Sequence, residues 1–245
     1  MFGKHIFFLH NPKAGGTSIG NILRGLYKAE DVAPSFSCAP NDHRKNRELL
    51  SNFTGYKIYI GHYGYEYYEK LGCGFELITN FRHPVARIYS LYRYWRQNVR
   101  LEHLAEIDPA DKRVVAFAHE LSFSDFIRHP DADLRLYLEN AHFRQLHRCN
   151  WTPKAVTVDS MATVKRRIDE MPWFFIAEEG ETSARLFQRF LPEIDVQDIP
   201  RDNISTGALS TVSDEDAAYI EQINDADLKI YEYALQIQQK RSLEL

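Results

Sequence analysis

The segment HIFFLHNPKAGGTSIGNILRGLY, residues 5–27, runs from an apolar β-type stretch through a glycine pair into a helical pattern. Lys13 stands between Pro12 and the adjacent Gly15 and Gly16, and Thr17 and Ser18 follow. The glycines relax the backbone, so the chain can turn sharply and come close to a ligand. Thr17 or Ser18 is placed to cap a helix, whose first N–H groups lack partners within it. Ile19, Ile22, Leu23, Leu26 and Tyr27 recur at the spacing of one apolar helix face. A strand, a glycine turn and a helix N-terminus make an anion site, to which a lysine adds a full charge. An ordinary βα turn, with glycines serving only close packing, is the plainer reading. The order Lys-x-Gly-Gly-Thr-Ser favours phosphate binding. In the P-loop of nucleotide triphosphatases the lysine follows the second glycine, whereas Lys13 precedes both. That departure counts against an ATPase or GTPase.

Short β-rich runs alternate with helical patterns along the rest of the chain: KIYIG, FELITN and, later, WFFIA. Alternation of this kind predicts an α/β fold with a central parallel sheet flanked by helices. AVTV (155–158) is a candidate for a further short strand. The region 101–150 reads as helical, with starts at Ser124 and Asp133, and the tail is helical from Ser213. Residues 195–212 read as a long loop. There is no internal repeat, low-complexity segment or Pro/Gly/Ser linker. The 245 residues are read as a single domain, 1–245, large enough to bury one core.

A net charge of −4 supplies no global field toward nucleic acid or an anionic membrane. The basic residues cluster in Arg82–Arg100 and Arg135–Arg148, a pattern that suits a small anionic ligand or a solvated helix face. Cys38, Cys73 and Cys149 make an odd total without C-x-x-C spacing, which predicts neither a disulfide framework nor a zinc site. No stretch has the features of a signal peptide or a membrane span, so a cytoplasmic location is expected. The sequons at Asn52, Asn150 and Asn203 then occur by chance. The composition sets no oligomeric state.

In a parallel sheet, ligands bind outside the carboxyl ends of the strands. Lys13 follows the first strand, His62 in GHYGY follows the second, and Arg82 in FRHPVARIYSLYRYW follows the third. These three therefore face one crevice. Pro84 suits the first helical position, and Val85, Ile88, Tyr92, Trp95 and Val99 form the apolar stripe of the helix it opens. Ser90 projects from the other side. An arginine fork matches phosphate geometry and a serine hydroxyl can donate beside it, so Arg82 and Ser90 form a second phosphate-binding element.

HNPKAGGTS resembles the His-Ile-Pro-Lys-Thr-Gly-Gly-Thr-Ser loop of carbohydrate sulfotransferases, the group that includes heparan sulfate 2-O- and 6-O-sulfotransferases and soluble bacterial relatives. FRHPVARIYSLYRYW resembles their Arg-Asp-Pro-Val-x-Arg-x-x-Ser segment, and GHYGY their Gly-His at the end of the second strand. NAHFRQL (140–146), FFIAEEGETSARLF and NDADLKIYEYA are similar to later segments in the expected order. Ala14 stands where the family has threonine, His83 where it has aspartate, and Ala177 with Glu178 departs from its Leu-Thr-Glu.

The resemblance implies 3′-phosphoadenosine 5′-phosphosulfate (PAPS) as donor and adenosine 3′,5′-bisphosphate as product, with no metal. Lys13, Ala14, Gly15, Gly16, Thr17 and Ser18 would hold the 5′-phosphosulfate, and Arg82 with Ser90 the 3′-phosphate. RDNISTG (201–207) resembles the loop that closes over the nucleotide, which makes Arg201, Asn203 and Ser205 candidate contacts. His62 corresponds to the family's catalytic base. Sulfuryl transfer to a hydroxyl is an in-line displacement, so catalysis rests on positioning and on neutralising the leaving oxygen, the role of Lys13. An unperturbed histidine titrates near ~6.5, well matched to a general base. His10 is the competing histidine, read as a packed residue ending the strand.

The expected acceptor is a hydroxyl-bearing glycan or glycoconjugate. Tyr63, Tyr65, Tyr67, Tyr68 and Trp95 can stack on sugar rings or serve as core and cleft wall. The rival enzyme is a nucleoside or nucleotide kinase, whose magnesium would need a carboxylate such as Asp159 after AVTV. The rival non-enzyme is a nucleotide-binding interaction module that has lost catalysis.

Overall fold

The computed structural model describes residues 3–34, 54–72, 74–104, 109–149, 152, 155–194 and 211–244. Ile6–Leu9 (β1), Ile58–Gly61 (β2), Glu76–Phe81 (β3) and Phe174–Ile176 (β4) form one sheet in the order β2-β1-β3-β4. Every pairing is parallel, with Leu9 opposite Gly61 on one side and Thr79 on the other. The four apolar runs of the sequence are these four strands.

The helices, in chain order, are α1 (Gly16–Gly25), α2 (Tyr65–Leu71), α3 (Pro84–Asn98), α4 (Pro109–Glu120), α5 (Phe123–Arg128), α6 (Ala132–Leu138), α7 (Ala141–His147), α8 (Val158–Glu170), α9 (Gly180–Phe190), α10 (Asp214–Ile223) and α11 (Asp225–Ser242). They cover both faces of the sheet, which explains why β1 is apolar at every position. Successive strand residues point to opposite faces. Phe7, Leu9 and Tyr59 join Phe143 of α7, Val164 and Ile168 of α8, and Ile230 of α11. Ile6, Phe8, Ile58 and Ile60 join Ile19 and Leu23 of α1 and Phe187 of α9. A third cluster lies around α3, where Val85, Ile88, Tyr92 and Trp95 meet Phe126, Leu134 and Ile220. Phe7, Phe8, Phe81 and Phe126 are fully enclosed, and each such side chain contributes roughly 1.5–3 kcal/mol by leaving water.

Several local expectations are corrected. AVTV adds no strand: its residues are exposed, and Val158 begins α8. Thr157 caps that helix in a reciprocal box with Ser160, and this local bonding outweighs the β-branched composition. The starts expected at Ser124 and Asp133 fall two residues earlier, because Ser122 and Asp131 accept the first free N–H groups. Val99 lies just past the end of α3, although it still packs on the third cluster. The start at Ser213 is observed, with its hydroxyl accepting from Asp216 N–H. The loop expected over 195–212 lies outside the described residues except for Thr211 and Val212. Cys38, Cys73, Asn52 and Asn150 lie outside them too. Among the described residues no helix is long and apolar enough to cross a membrane.

From β1 the chain passes to β2 on one side and then to β3 on the other. The connections after β1 and β3 therefore leave opposite faces, and a crevice opens between their carboxyl ends. Lys13 and Arg82 follow those two strands.

Candidate active site

The turn after β1 is anchored by Asn80 of β3. Asn11 N–H donates to Asn80 Oδ1 at 2.8 Å, and Asn80 Nδ2 donates to Asn11 O at 3.0 Å. A side-chain amide thus extends the β1–β3 ladder beyond the Leu9–Thr79 pair. The chain then turns through two left-handed residues, Lys13 (φ 65°) and Gly15 (φ 80°). Glycine adopts that conformation without penalty, but lysine does so only when its surroundings hold it.

Gly15 occupies the cap position of α1, and the helix begins at Gly16. Thr17 and Ser18 are consequently in the first turn and cap nothing, contrary to the sequence expectation. No side chain caps this helix. Its leading N–H groups keep the positive end of the helix directed at the crevice. Gly16 is required by close approach: a Cβ there would lie 2.4 Å from His10 Cδ2 and 2.9 Å from Asn80 Nδ2. Ala14 is fully buried, so its methyl fills a packed position where the family has a hydroxyl.

Arg82 joins this turn to the opposite side of the crevice. Its Nη1 donates to Lys13 O at 3.0 Å, and its Nε lies 4.0 Å from Glu178 Oε1. Glu178 follows β4; its Oε1 accepts from His83 N–H at 3.2 Å and its Oε2 from the Tyr231 hydroxyl at 3.2 Å. His83 caps α3 without a side-chain bond, and Pro84 takes the first helical position as expected. The carboxylate lost from position 83 is thus supplied from β4's end, where it holds the backbone and the guanidinium together. Ser90 is half-buried on α3, one helical turn before Tyr94 and on the same face. The Lys13 ammonium lies 3.8 Å from the Tyr94 ring centroid.

His62 follows β2, with its ring centroid 4.9 Å from that of His10. Burial, and then the nearby Lys13 charge, push His62 down to about 4. His10 is also held well below the usual imidazole range, by burial first and then by His62, Arg24 and Lys13. Both rings are thus neutral at physiological pH; the same shift leaves His62 unprotonated in more acid solution than an unperturbed histidine and makes it a weaker base. Burial and Arg82 lower Lys13, and burial lowers Arg82 despite the opposing Glu178 carboxylate. Gln145 of α7 links the ends of β1 and β2, its Nε2 donating to His10 O at 3.1 Å and Tyr63 O at 2.9 Å.

The structure thus brings Lys13, His62 and Arg82 to one end of the sheet, with Ser90 on the helix beside them. Arg201, Asn203 and Ser205 lie outside the described residues. Tyr63 and Tyr67 are buried in the first core cluster, against which Tyr65 and Tyr68 pack, and Trp95 is buried in the third. The basic clusters divide: Arg87 and Arg144 are buried, whereas Arg93, Arg96, Arg100 and Arg148 are exposed. Arg87 donates to Tyr137 O, Arg96 to Ala118 O, and Arg144 to Leu136 O, so these three fasten helices. Asp159 is exposed in the first turn of α8, and the described residues just before it are not a strand, so it does not stand at a strand end as a kinase's magnesium ligand would. A cavity of about 500 Å³ opens at the opposite end of the strands, among Lys4, Trp173, Phe190 and Gln238. None of the strand-end residues borders it. The chemistry follows the strand ends and not the void.

Asn80, Glu178, Gln145 and Tyr94 are the site residues that sequence reasoning missed. Asn80 and Gln145 lie within stretches already read as a strand and a family-like segment, but nothing local marks their partners.

The sequence model of the Sulfotransferase family matches residues 3–234. The chain belongs to the sulfotransferase family, which implies sulfuryl transfer to a hydroxyl-bearing acceptor. No curated protein matches the sequence.

Proposed function

We propose that residues 1–245 form one sulfotransferase domain that moves a sulfuryl group from PAPS to a carbohydrate hydroxyl. The observation that carries the reading is the Arg82–Lys13 bond across the β1/β3 crevice. It couples two phosphate-binding elements that are far apart in the chain. The first turn of α1 and Lys13 hold the 5′-phosphosulfate. Arg82 and Ser90 hold the 3′-phosphate. His62 accepts the proton of the acceptor hydroxyl as that oxygen bonds to sulfur. The sulfur–oxygen bond to the 5′-phosphate breaks, and the electron pair left on the phosphate is stabilised by Lys13 and the helix N–H groups. Arg201, Asn203 and Ser205 are assigned as further nucleotide contacts by the family resemblance alone. A neutral His62 beside a cationic Lys13 supports this division of roles, because each is already in the protonation state its step needs. The family match supports PAPS as donor.

Calorimetric titration tests the donor assignment. Adenosine 3′,5′-bisphosphate should bind far more tightly than AMP, and Arg82→Ala should erase most of the difference, since charge-assisted hydrogen bonds are worth about 1.5–3 kcal/mol. Equal affinity of the wild-type protein for the two nucleotides would overturn the reading.

A further inference from the structure

We propose that Tyr94 is a positioning residue for Lys13: the face of its ring holds the lysine ammonium at the donor site. This rests on the PAPS-site reading above. The ammonium lies 3.8 Å from the ring centroid, inside the roughly 6 Å over which a cation is drawn to an aromatic face. The ring is 44% exposed and belongs to none of the three core clusters, so packing does not account for its place. Its neighbours on α3 do: Tyr89, Tyr92 and Trp95 all point into the third cluster, whereas Tyr94 points to the phosphate turn.

Lys13 needs such a partner. Its backbone is left-handed, a conformation that holds a lysine only where several contacts fix it. Arg82 fixes the carbonyl at 3.0 Å, and Tyr94 fixes the far end of the same residue. The charge that acts on Lys13 is that of Arg82, which repels an ammonium; Arg24, His10 and His62 lie around the turn, and the Glu178 carboxylate is engaged by Arg82, His83 N–H and Tyr231. A carboxylate partner would cancel the charge and compete with the incoming phosphosulfate. A ring quadrupole orients the cation and leaves its whole charge for the leaving oxygen. The ring spans the crevice from α3, so the helix that carries Ser90 also sets the lysine.

A double-mutant cycle read by calorimetry with adenosine 3′,5′-bisphosphate tests this on the full chain. Tyr94→Leu should weaken binding by about 3–10-fold, and Tyr94→Phe, which keeps the ring face, should stay within about 2-fold. In a Lys13→Ala background, Tyr94→Leu should have no further effect, because the ring acts only through the ammonium. Thermal melts coinciding with wild type show that the fold is intact. A wild-type affinity in Tyr94→Leu, or the same loss with and without Lys13, overturns the proposal while wild-type binding still upholds the donor reading. Failure of the wild-type protein to bind the bisphosphate overturns both.

Discussion

His62 shows how its surroundings change what a residue type suggests. A free imidazole would lose its basicity near ~6.5, but burial and Lys13 hold His62 at about 4. As a base it works only when unprotonated, so turnover should persist through mildly acid solution and fall as pH drops toward about 4. The bound donor, an anion, would draw that limb upward. His62→Ala should reduce turnover by about 10²–10⁴-fold while barely changing nucleotide affinity. The check is a pH–rate profile for both proteins, and near-normal turnover in the variant removes His62 from the mechanism. Lys13, His62 and Arg82 were legible in the sequence because each follows a strand at the same end of the sheet. Tyr94, Gln145 and Glu178 were not. Each acts through a partner brought to it by the fold: Lys13, the His10 carbonyl and Arg82 respectively. Ser90 was legible as the polar side of an amphipathic helix, but its neighbour one turn on looked like one more aromatic in SLYRYW.

The β1–α1 unit is an element whose geometry depends on what crosses it. Gly16 begins the helix with His10 on one side and the Asn80 amide on the other. Alanine is the better helix former by about 1 kcal/mol. Here its Cβ would have to displace the His10 ring from 2.4 Å, and that ring packs against His62. Overpacking of this kind typically costs about 1–3 kcal/mol, so Gly16→Ala should lower stability despite the propensity gain. It should also weaken adenosine 3′,5′-bisphosphate binding, since the turn would open. Denaturant titration and calorimetry measure the two effects, and an unchanged or raised stability would show that His10 yields freely. Elements with a strong apolar period were readable in advance, as β1, β3 and α3 were. Starts set by a short side-chain bond were not. Ser122 and Asp131 each won over a candidate two residues on, and Thr157 over a strand reading, through one or two hydrogen bonds that composition cannot rank.

Over the whole molecule, the parallel sheet was legible from the alternation of runs, but which arginines of the basic clusters are buried was not, because charge in a sequence carries no sign of burial. Arg87 and Arg144 are inside, where carbonyl oxygens satisfy them. His142 is inside as well, and His10 and His62 are half-buried at the crevice; all three resist protonation in the folded protein. His10 is held well below its usual range, His62 at about 4, and His142, buried beside Arg87, at about 3. Thr79 Oγ1 donates to Leu9 O, so it accepts from His142 Nε2, and the neutral ring is part of the link between α7 and the sheet. Above ~6.5 all three are neutral whether the chain is folded or not, and their contribution to stability is complete. Below that pH the unfolded chain takes up three protons that the folded protein refuses, so stability falls as pH falls toward the folded-state values. Three protons correspond to a slope of at most about 4 kcal/mol per pH unit, enough to exhaust an ordinary domain's roughly 5–15 kcal/mol within a few units. Asp227, raised by burial, opposes the trend near its own titration range without reversing it at higher pH. Denaturant unfolding between pH 7.5 and 4.5 should therefore show stability dropping steeply below about 6.5. Replacing His142 with glutamine, whose amide can still donate to Thr79, should cut the slope by about a third. A stability that stays level from pH 7 to 5 would mean that the folded protein accepts these protons after all.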